Sequence, residues 1–269
     1  MTQQGRTAVI TGAASGIGYA LAQRLALEGC NLVLADVNAD ALRQAAADIG
    51  VDVVTHVTDV GNRDDVEALR SAAVKAFGKV HLLFNNAGVQ VAGPMWKMSS
   101  AKWKWLVDVN LMGVVHGVQA FVPHMIDHGE AAHVVNTASM AGVLTPPGMS
   151  TYCATKHAVV ALTECLAHDL KQEAPHIKAT VLCPAFLQTN LHSTQTPPEG
   201  DDETLMSDDE AQAWADKVEQ LVTEGLDVNV LVDKVIDALA KPQLYVFTHP
   251  EMAPFAAKRF KGIERALTS

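Results

Sequence analysis

The stretch RTAVITGAASGIG, from Arg6 to Gly18, decides how the chain folds. A short β-rich run, Arg6–Thr11, ends in a glycine-rich turn and passes directly into a helical pattern. Glycines in such a turn let a pyrophosphate approach backbone N–H groups at a helix N-terminus, where the dipole favours negative charge. The next β-rich run ends at Asp36, 20 residues beyond Gly16. A carboxylate there accepts hydrogen bonds from the ribose hydroxyls of adenosine and repels a 2′-phosphate. No Lys or Arg stands inside the turn, and Val37 and Asn38 follow Asp36, so nothing offsets the repulsion. The pattern is that of a dinucleotide site preferring NAD to NADP.

The same alternation continues outward from this unit. Runs at Asn31–Asp36, Val51–Val57, Val80–Phe84, His133–Thr137, Ile177–Cys183 and Gln243–Thr248 bring the strands to seven. Between them, segments such as Gly16–Glu28, Ala39–Ile49 and Asp64–Phe77 repeat apolar residues at helical spacing, with charges on the other face. Apolar strands joined by helices imply a parallel sheet covered on both faces, an α/β doubly wound (Rossmann-type) architecture. No break in composition divides it, so residues 1–269 are expected to form one domain. One region stands apart, 188–225. From Gln188 to Asp216 there is no Lys or Arg, while Glu199, Asp201, Asp202, Glu203, Asp208, Asp209 and Glu210 crowd together. It begins after a strand end, where open α/β sheets bind ligands, and is expected to serve as a substrate lid.

Composition narrows the function classes. With 49% hydrophobic residues the chain has enough apolar surface for a packed core, which excludes disorder. A net charge of −10 with no Lys/Arg cluster opposes nucleic-acid and anionic-membrane binding. No uninterrupted apolar run reaches the roughly 18 residues of a membrane span, and MTQQGRTAVITG has no leader-like stretch, so a cytoplasmic location is expected. Cys30, Cys153, Cys165 and Cys183 form no C-x-x-C pair and read as small buried hydrophobes. His124 and His128 share a helical face, but HMIDH lacks the Glu of the zinc protease pattern, so a solvated helix end and no metal site are expected.

The glycine spacing is G-x-x-x-G-x-G, and further motifs accompany it. Asn85-Asn86-Ala87-Gly88 ends the fourth strand, and Asn110 lies in a long helical stretch. Ser139 follows the fifth strand, and Tyr152-Cys153-Ala154-Thr155-Lys156 opens the next helix 13 residues later. With these motifs the chain resembles the short-chain dehydrogenase/reductase family, closely from about Arg6 to Thr189. The resemblance implies an oxidoreductase in which Ser139 holds the substrate oxygen and Tyr152 takes the hydroxyl proton while hydride passes to the nicotinamide. Lys156 would hold the nicotinamide ribose hydroxyls, and Asn110 would anchor a water that relays the proton. Cofactor contacts are implied for Gly12, Ser15, Gly16, Ile17 and Gly18 in the turn. Asp59 and Val60 fall at the adenine, Asn86 near the adenosine ribose, and Leu187 and Thr189 at the carboxamide. Pro184-Ala185 departs from the family's usual Pro-Gly and leaves that turn less free.

Tyr152 and Lys156, four apart, share one helix face. A phenol of pKa about 10 must drop roughly two to three units, about 3–4 kcal/mol, to act as a base near neutrality. A cation at about 4 Å supplies about 4 kcal/mol at an effective dielectric of about 20. Lys156 is therefore expected to draw the phenol down.

Other chemistries are absent. Ser139 sits in TASMA, without the glycines of a nucleophile elbow, and the Gly12–Gly18 turn lacks the G-K-[ST] end of a P-loop. Loops at Gln90–Trp96, Met140–Met149 and Ala185–Leu191 should rim the substrate. They carry Val91, Met95, Trp96, Met140, Val143, Leu144, Met149, Phe186 and Leu187, which suggests an uncharged, hydrophobic secondary alcohol or ketone. Trp103–Met125 and Ala154–Leu170 are apolar on more than one face, as expected of a homodimer or homotetramer. The amphipathic tail Pro254–Leu267 could dock on its own domain or on a neighbour. Two alternatives stand beside alcohol oxidation: NADH-dependent carbonyl reduction at the same site, and a non-catalytic NAD-sensing protein. The intact Ser139, Tyr152, Lys156 and Asn110 set disfavours the second.

Overall fold

The computed structural model describes residues 3–51, 53–189, 216–217 and 219–269. Its strands are β1 (Thr7–Thr11), β2 (Asn31–Asp36), β3 (Val53–Val57), β4 (Leu82–Asn85), β5 (Ala132–Thr137), β6 (Ile177–Cys183) and β7 (Tyr245–Phe247). They form one parallel sheet in the order β3-β2-β1-β4-β5-β6-β7. The helices are α1 (Gly16–Leu27), α2 (Ala39–Ile49), α3 (Arg63–Phe77), α4 (Ser100–Val107), α5 (Gly113–His128), α6 (Ser150–Glu173), α7 (Val228–Ala240) and α8 (Ala253–Thr268). The doubly wound architecture expected from the sequence is the one observed. Of the expected lid, residues 190–215 and 218 lie outside the described residues.

Strand order places the site. The chain winds from β1 outward to β3, then crosses back to lay β4 on the other side of β1. At that reversal the loops after β1 and β4 diverge and leave a crevice at the strand C-termini. Side chains on successive strand residues point to opposite faces, so Ile10, Leu34 and Phe84 join α1 and α7 in one core while Val9, Val33 and Leu83 join α3 and α5 in another. Burial on both faces explains why the strands read as continuous apolar runs.

Two boundaries differ from the sequence expectation for a physical reason. β4 starts at Leu82, because the backbone of Val80 is held by side chains and not by a strand partner. Its N–H donates to His124 Nε2 (3.2 Å), and His128 Nε2 donates to its carbonyl (2.9 Å). His124 and His128 are thus half-buried supports of the sheet, not a solvated helix end. The helical stretch around Asn110 is interrupted by a π turn, Asp108–Met112, between α4 and α5. The stretch Ser100–His128 is long and apolar enough to cross a membrane by composition, but half of its most apolar window is buried within the fold. Cys30, Cys153 and Cys183 are buried as expected, whereas Cys165 is exposed on the outer face of α6.

Candidate active site

The glycine turn is built for close approach. Gly12 has φ +64°, and a Cβ there would lie 2.8 Å from the Ala87 Cα. A Cβ on Gly18 would lie 2.2 Å from the Gly12 carbonyl oxygen. Any side chain at these two positions collides with backbone, so the turn is fixed by what it must exclude. Ser15 precedes α1 in extended conformation and makes no capping hydrogen bond, which leaves the first N–H groups of α1 and the exposed hydroxyl for a ligand. Ile17 is half-buried in the first turn of α1.

Asp36 lies at the end of β2 beside this turn. Its carboxylate accepts from Ala14 N–H (3.0 Å) and Asn38 N–H (3.0 Å), which fixes its orientation while leaving further acceptor capacity. Asn86 joins turn and sheet: its Nδ2 donates to Thr11 O (3.1 Å) and Gly12 O (3.4 Å), and its Oδ1 accepts from Thr137 Oγ1 (3.3 Å). Thr11 completes the knot, since its hydroxyl accepts from the Asn86 and Ala87 N–H groups (3.0 and 3.1 Å) and donates to Phe84 O (3.3 Å). Thr11 and Thr137 were missed in the sequence, where a threonine at a strand end looks like any other β-former. Asp59 is exposed with Oδ1 on Gly61 N–H (2.9 Å), and Val60 is buried, its carbonyl accepting from His116 Nδ1 (2.9 Å). These residues line the crevice as a cradle for a nucleotide, and the glycines and uncapped helix end fit one.

The candidate catalytic residues converge next to it. Ser139 follows β5; its Oγ donates to Pro184 O (3.3 Å), accepts from Ala141 N–H (3.1 Å) and shares a hydrogen bond with the Tyr152 hydroxyl. Tyr152 and Lys156 project from the first turns of α6, both buried. Asn110 is fully buried, and both ends of its amide hold Val89: Oδ1 accepts from its N–H and Nδ2 donates to its carbonyl, each at 2.8 Å. Nδ2 also reaches Thr155 Oγ1 (3.3 Å), tying the π turn to α6. Gly88 lies between Asn110 and Lys156, where a Cβ would stand 3.3 Å from Asn110 Oδ1 and 3.4 Å from Lys156 Nζ.

One expectation is corrected here. The Lys156 ammonium donates to Thr137 O (2.9 Å) and stands 5.6 Å from the centre of the Tyr152 ring. Burial pushes the Tyr152 phenol up to about 12, against the opposing pull of its Ser139 hydrogen bond, so Lys156 does not draw it down. Burial likewise lowers Lys156, to about 8. Loss of water disfavours the charged form of both groups, and at this distance their mutual attraction does not overcome it.

Leu187 and Thr189 also differ from one another. Leu187 is buried in the core beside α1 and α7, so only its backbone can face a ligand; it pairs with Leu226 in a short bridge. Thr189 closes over the glycine turn, its Cβ 3.5 Å from where a Gly16 Cβ would be. Ala185 takes no left-handed conformation, so the departure from Pro-Gly costs no strain. Of the rim residues, Met140, Val143, Met149 and Leu187 are core, whereas Met95, Trp96 and Phe186 are exposed.

A parallel sheet with a nucleotide cradle at its reversal and a Ser, Tyr and Lys set beside it defines an oxidoreductase that binds a nucleotide cofactor. The model of the short chain dehydrogenase family matches residues 6–200, and the chain belongs to that family. It is 34% identical over 94% of its length to the CLA biosynthesis dehydrogenase/reductase of Lactiplantibacillus plantarum, covering 91% of that protein. It is 33% identical over 99% of its length to the 1-deoxy-11-beta-hydroxypentalenate dehydrogenase of Streptomyces avermitilis, covering 93% of it. Among solved structures, a short-chain dehydrogenase/reductase from Burkholderia phymatum in complex with NAD superposes with a TM-score of 0.94 at 42% identity, covering 99% of this chain and 96% of that one.

Proposed function

We propose that the protein is an NAD-dependent dehydrogenase of hydrophobic secondary alcohols, working in the cytoplasm as a homodimer or homotetramer of single-domain subunits with residues 188–225 as lid. The observation that carries this reading is the meeting of Ser139, Tyr152 and Lys156 at one end of the crevice whose other end holds Asp36. The cradle of Gly12, Ser15, Gly16, Ile17 and Gly18 would hold the pyrophosphate, Asp36 and Asn86 the adenosine ribose, Asp59 and Val60 the adenine. Leu187 and Thr189 would contact the carboxamide. The bound nicotinamide supplies hydride acceptance and, when oxidised, a positive charge.

The chain's own residues do the rest. Ser139 orients the substrate oxygen, and the Tyr152 hydroxyl beside it receives the proton of the alcohol. Lys156 carries a charge whose attraction for a phenolate grows as water is excluded, and it holds the ribose hydroxyls. Asn110 positions the Val89 backbone and the relay water. The preference for NAD rests on Asp36, whose carboxylate would repel a 2′-phosphate. A match at this coverage to a hydroxypentalenate dehydrogenase and a 38% match over 70% of the chain to a 3beta-hydroxysteroid dehydrogenase of Eggerthella lenta support a hydroxyl on a hydrophobic body as substrate. The test is NADH formation from NAD across a panel of hydrophobic secondary alcohols, with NADP in parallel. Turnover with NAD on at least one alcohol is expected; faster turnover with NADP throughout would overturn the cofactor assignment.

A further inference from the structure

The loop that leaves β6 runs from one end of the crevice to the other. At its start Pro184 O accepts from the Ser139 hydroxyl (3.3 Å) and Met140 N–H (2.7 Å), and at its end Thr189 closes over Gly16. Between them Leu187 has its side chain sunk in the core. Its N–H donates to no described residue, although Leu187 is buried. Few buried backbone N–H groups go unpaired, so a free one beside a nucleotide cradle is a donor left for a ligand.

The carbonyl of the same peptide unit aims that N–H. The Phe186–Leu187 peptide is planar and trans, so Phe186 C=O and Leu187 N–H point in opposite directions. Phe186 O accepts from Leu226 N–H (3.2 Å) and from His249 Nε2 (3.1 Å), and it is packed so closely on Gly225 that a Cβ there would stand 2.8 Å from it. The Leu226 bond ties loop to loop, since Leu226 O in turn accepts from Gln188 N–H (3.1 Å). The His249 bond ties the loop to the sheet. β6 and β7 run parallel with Cys183 opposite Phe247, which sets Thr248 and His249 beside the start of the loop.

His249 is buried, and both of its ring nitrogens are engaged. A carbonyl can only accept, so Nε2 carries the proton; Nδ1 then accepts from Thr248 Oγ1 (2.6 Å), which holds the ring in that tautomer. Such a ring is a support and leaves no nitrogen for a substrate. We infer that His249 is a positioning residue for the cofactor: by holding Phe186 O at the sheet edge, it aims Leu187 N–H at the carboxamide of the nicotinamide, a role that rests on the reading of the crevice as an NAD site. The apolar packing of Leu187 fixes where the residue lies, but such packing is non-directional and does not set which way its peptide faces.

The test compares two ligands of the full chain by calorimetric titration: NADH, and ADP-ribose, which keeps the adenosine, pyrophosphate and second ribose but has no nicotinamide. His249→Phe keeps a ring and removes the donor. It should weaken NADH about three- to tenfold, the contribution of one directed hydrogen bond, and leave ADP-ribose within about twofold of wild type. His249→Gln carries an N–H near the place of Nε2 and should return NADH to within about twofold of wild type. His249→Asn, one methylene shorter, should behave as His249→Phe does and takes its place if the phenyl ring prevents folding. Equal weakening of both ligands, as a merely structural role would give, overturns the inference. Unchanged NADH affinity in both His249→Phe and His249→Asn, or no recovery in His249→Gln, overturns it as well. The wild type tests the NAD site separately: if it does not bind NADH, that reading falls and the role of His249 with it, whereas a wild type that binds NADH beside variants that do not discriminate removes His249 alone.

Discussion

At the N-terminal edge of the sheet, His81, His124 and His128 each accept a backbone N–H, from Thr7 (3.1 Å), Val80 (3.2 Å) and Glu130 (3.1 Å). At the C-terminal edge, Tyr152 and Lys156 are more deeply buried than these histidines, yet among the described residues the phenol has only Ser139 and the ammonium a single carbonyl. One edge satisfies its titratable groups with protein; the other leaves them capacity to spare. The difference teaches where function lies, because burial without full satisfaction is a cost that folding alone does not require. Substitutions that break this contrast should therefore divide into those that stop chemistry and those that touch only stability.

The largest effect is expected from Tyr152→Phe. Removing the hydroxyl should lower the rate of alcohol oxidation by about 10²–10⁴-fold while leaving NADH binding nearly unchanged, read by steady-state kinetics and NADH fluorescence titration. A rate within tenfold of wild type would assign the proton to another group. The pH profile follows from the same burial. The phenol stands near 12 and must lose its proton to serve as base, so oxidation should accelerate as pH rises from about 6 to 9.

Gly18→Ala should come next. Its Cβ has 2.2 Å to the Gly12 oxygen where an ordinary contact needs well over 3 Å, so the turn must open. Loss of NADH binding with the sheet intact by circular dichroism is the expected result. Asp36→Ala should act more selectively. It removes both the ribose acceptor and the charge facing a 2′-phosphate, and the ratio of kcat/KM for NAD to that for NADP should fall roughly tenfold or more. An unchanged ratio would remove Asp36 from cofactor choice.

The two edges were not equally legible in the sequence. The strand, glycine turn and Asp36 could be read because each uses a residue type that backbone geometry or charge nearly compels. The Tyr152 and Lys156 pair could be read from its helical spacing, but its electrostatics could not. That Lys156 points to Thr137 O and not to the phenol depends on where β5 ends, which no local pattern encodes. Asn110 was visible as a residue, whereas the π turn that aims it at Val89 was not, since a widened turn leaves the apolar periodicity almost unchanged. The histidine edge was misread for a similar reason. His124 and His128 look exposed on a helix wheel, and only the fold brings Val80 beneath them.

The smallest effect, and the sharpest test of the contrast, is expected at His124. Burial lowers the pKa of His124 and of His81, and takes His133 to about 4. A histidine whose folded pKa lies below its unfolded value of about 6.5 stabilises the fold fully above that pH. Its contribution is lost as pH falls through the folded value, because the unfolded chain then binds the proton more readily. Stability should therefore decline between about pH 6.5 and 4. At His124 the chemistry is explicit, since a protonated ring cannot accept from Val80 N–H. Glutamine keeps an acceptor but has no proton to gain in this range. His124→Gln should cost about 1 kcal/mol or less at pH 7.5, by urea denaturation, and should flatten the fall in stability below pH 6.5. Its kcat/KM should equal that of the wild type, because the sheet separates this edge from the catalytic one; a drop of more than about threefold would mean that the two edges are coupled through β4.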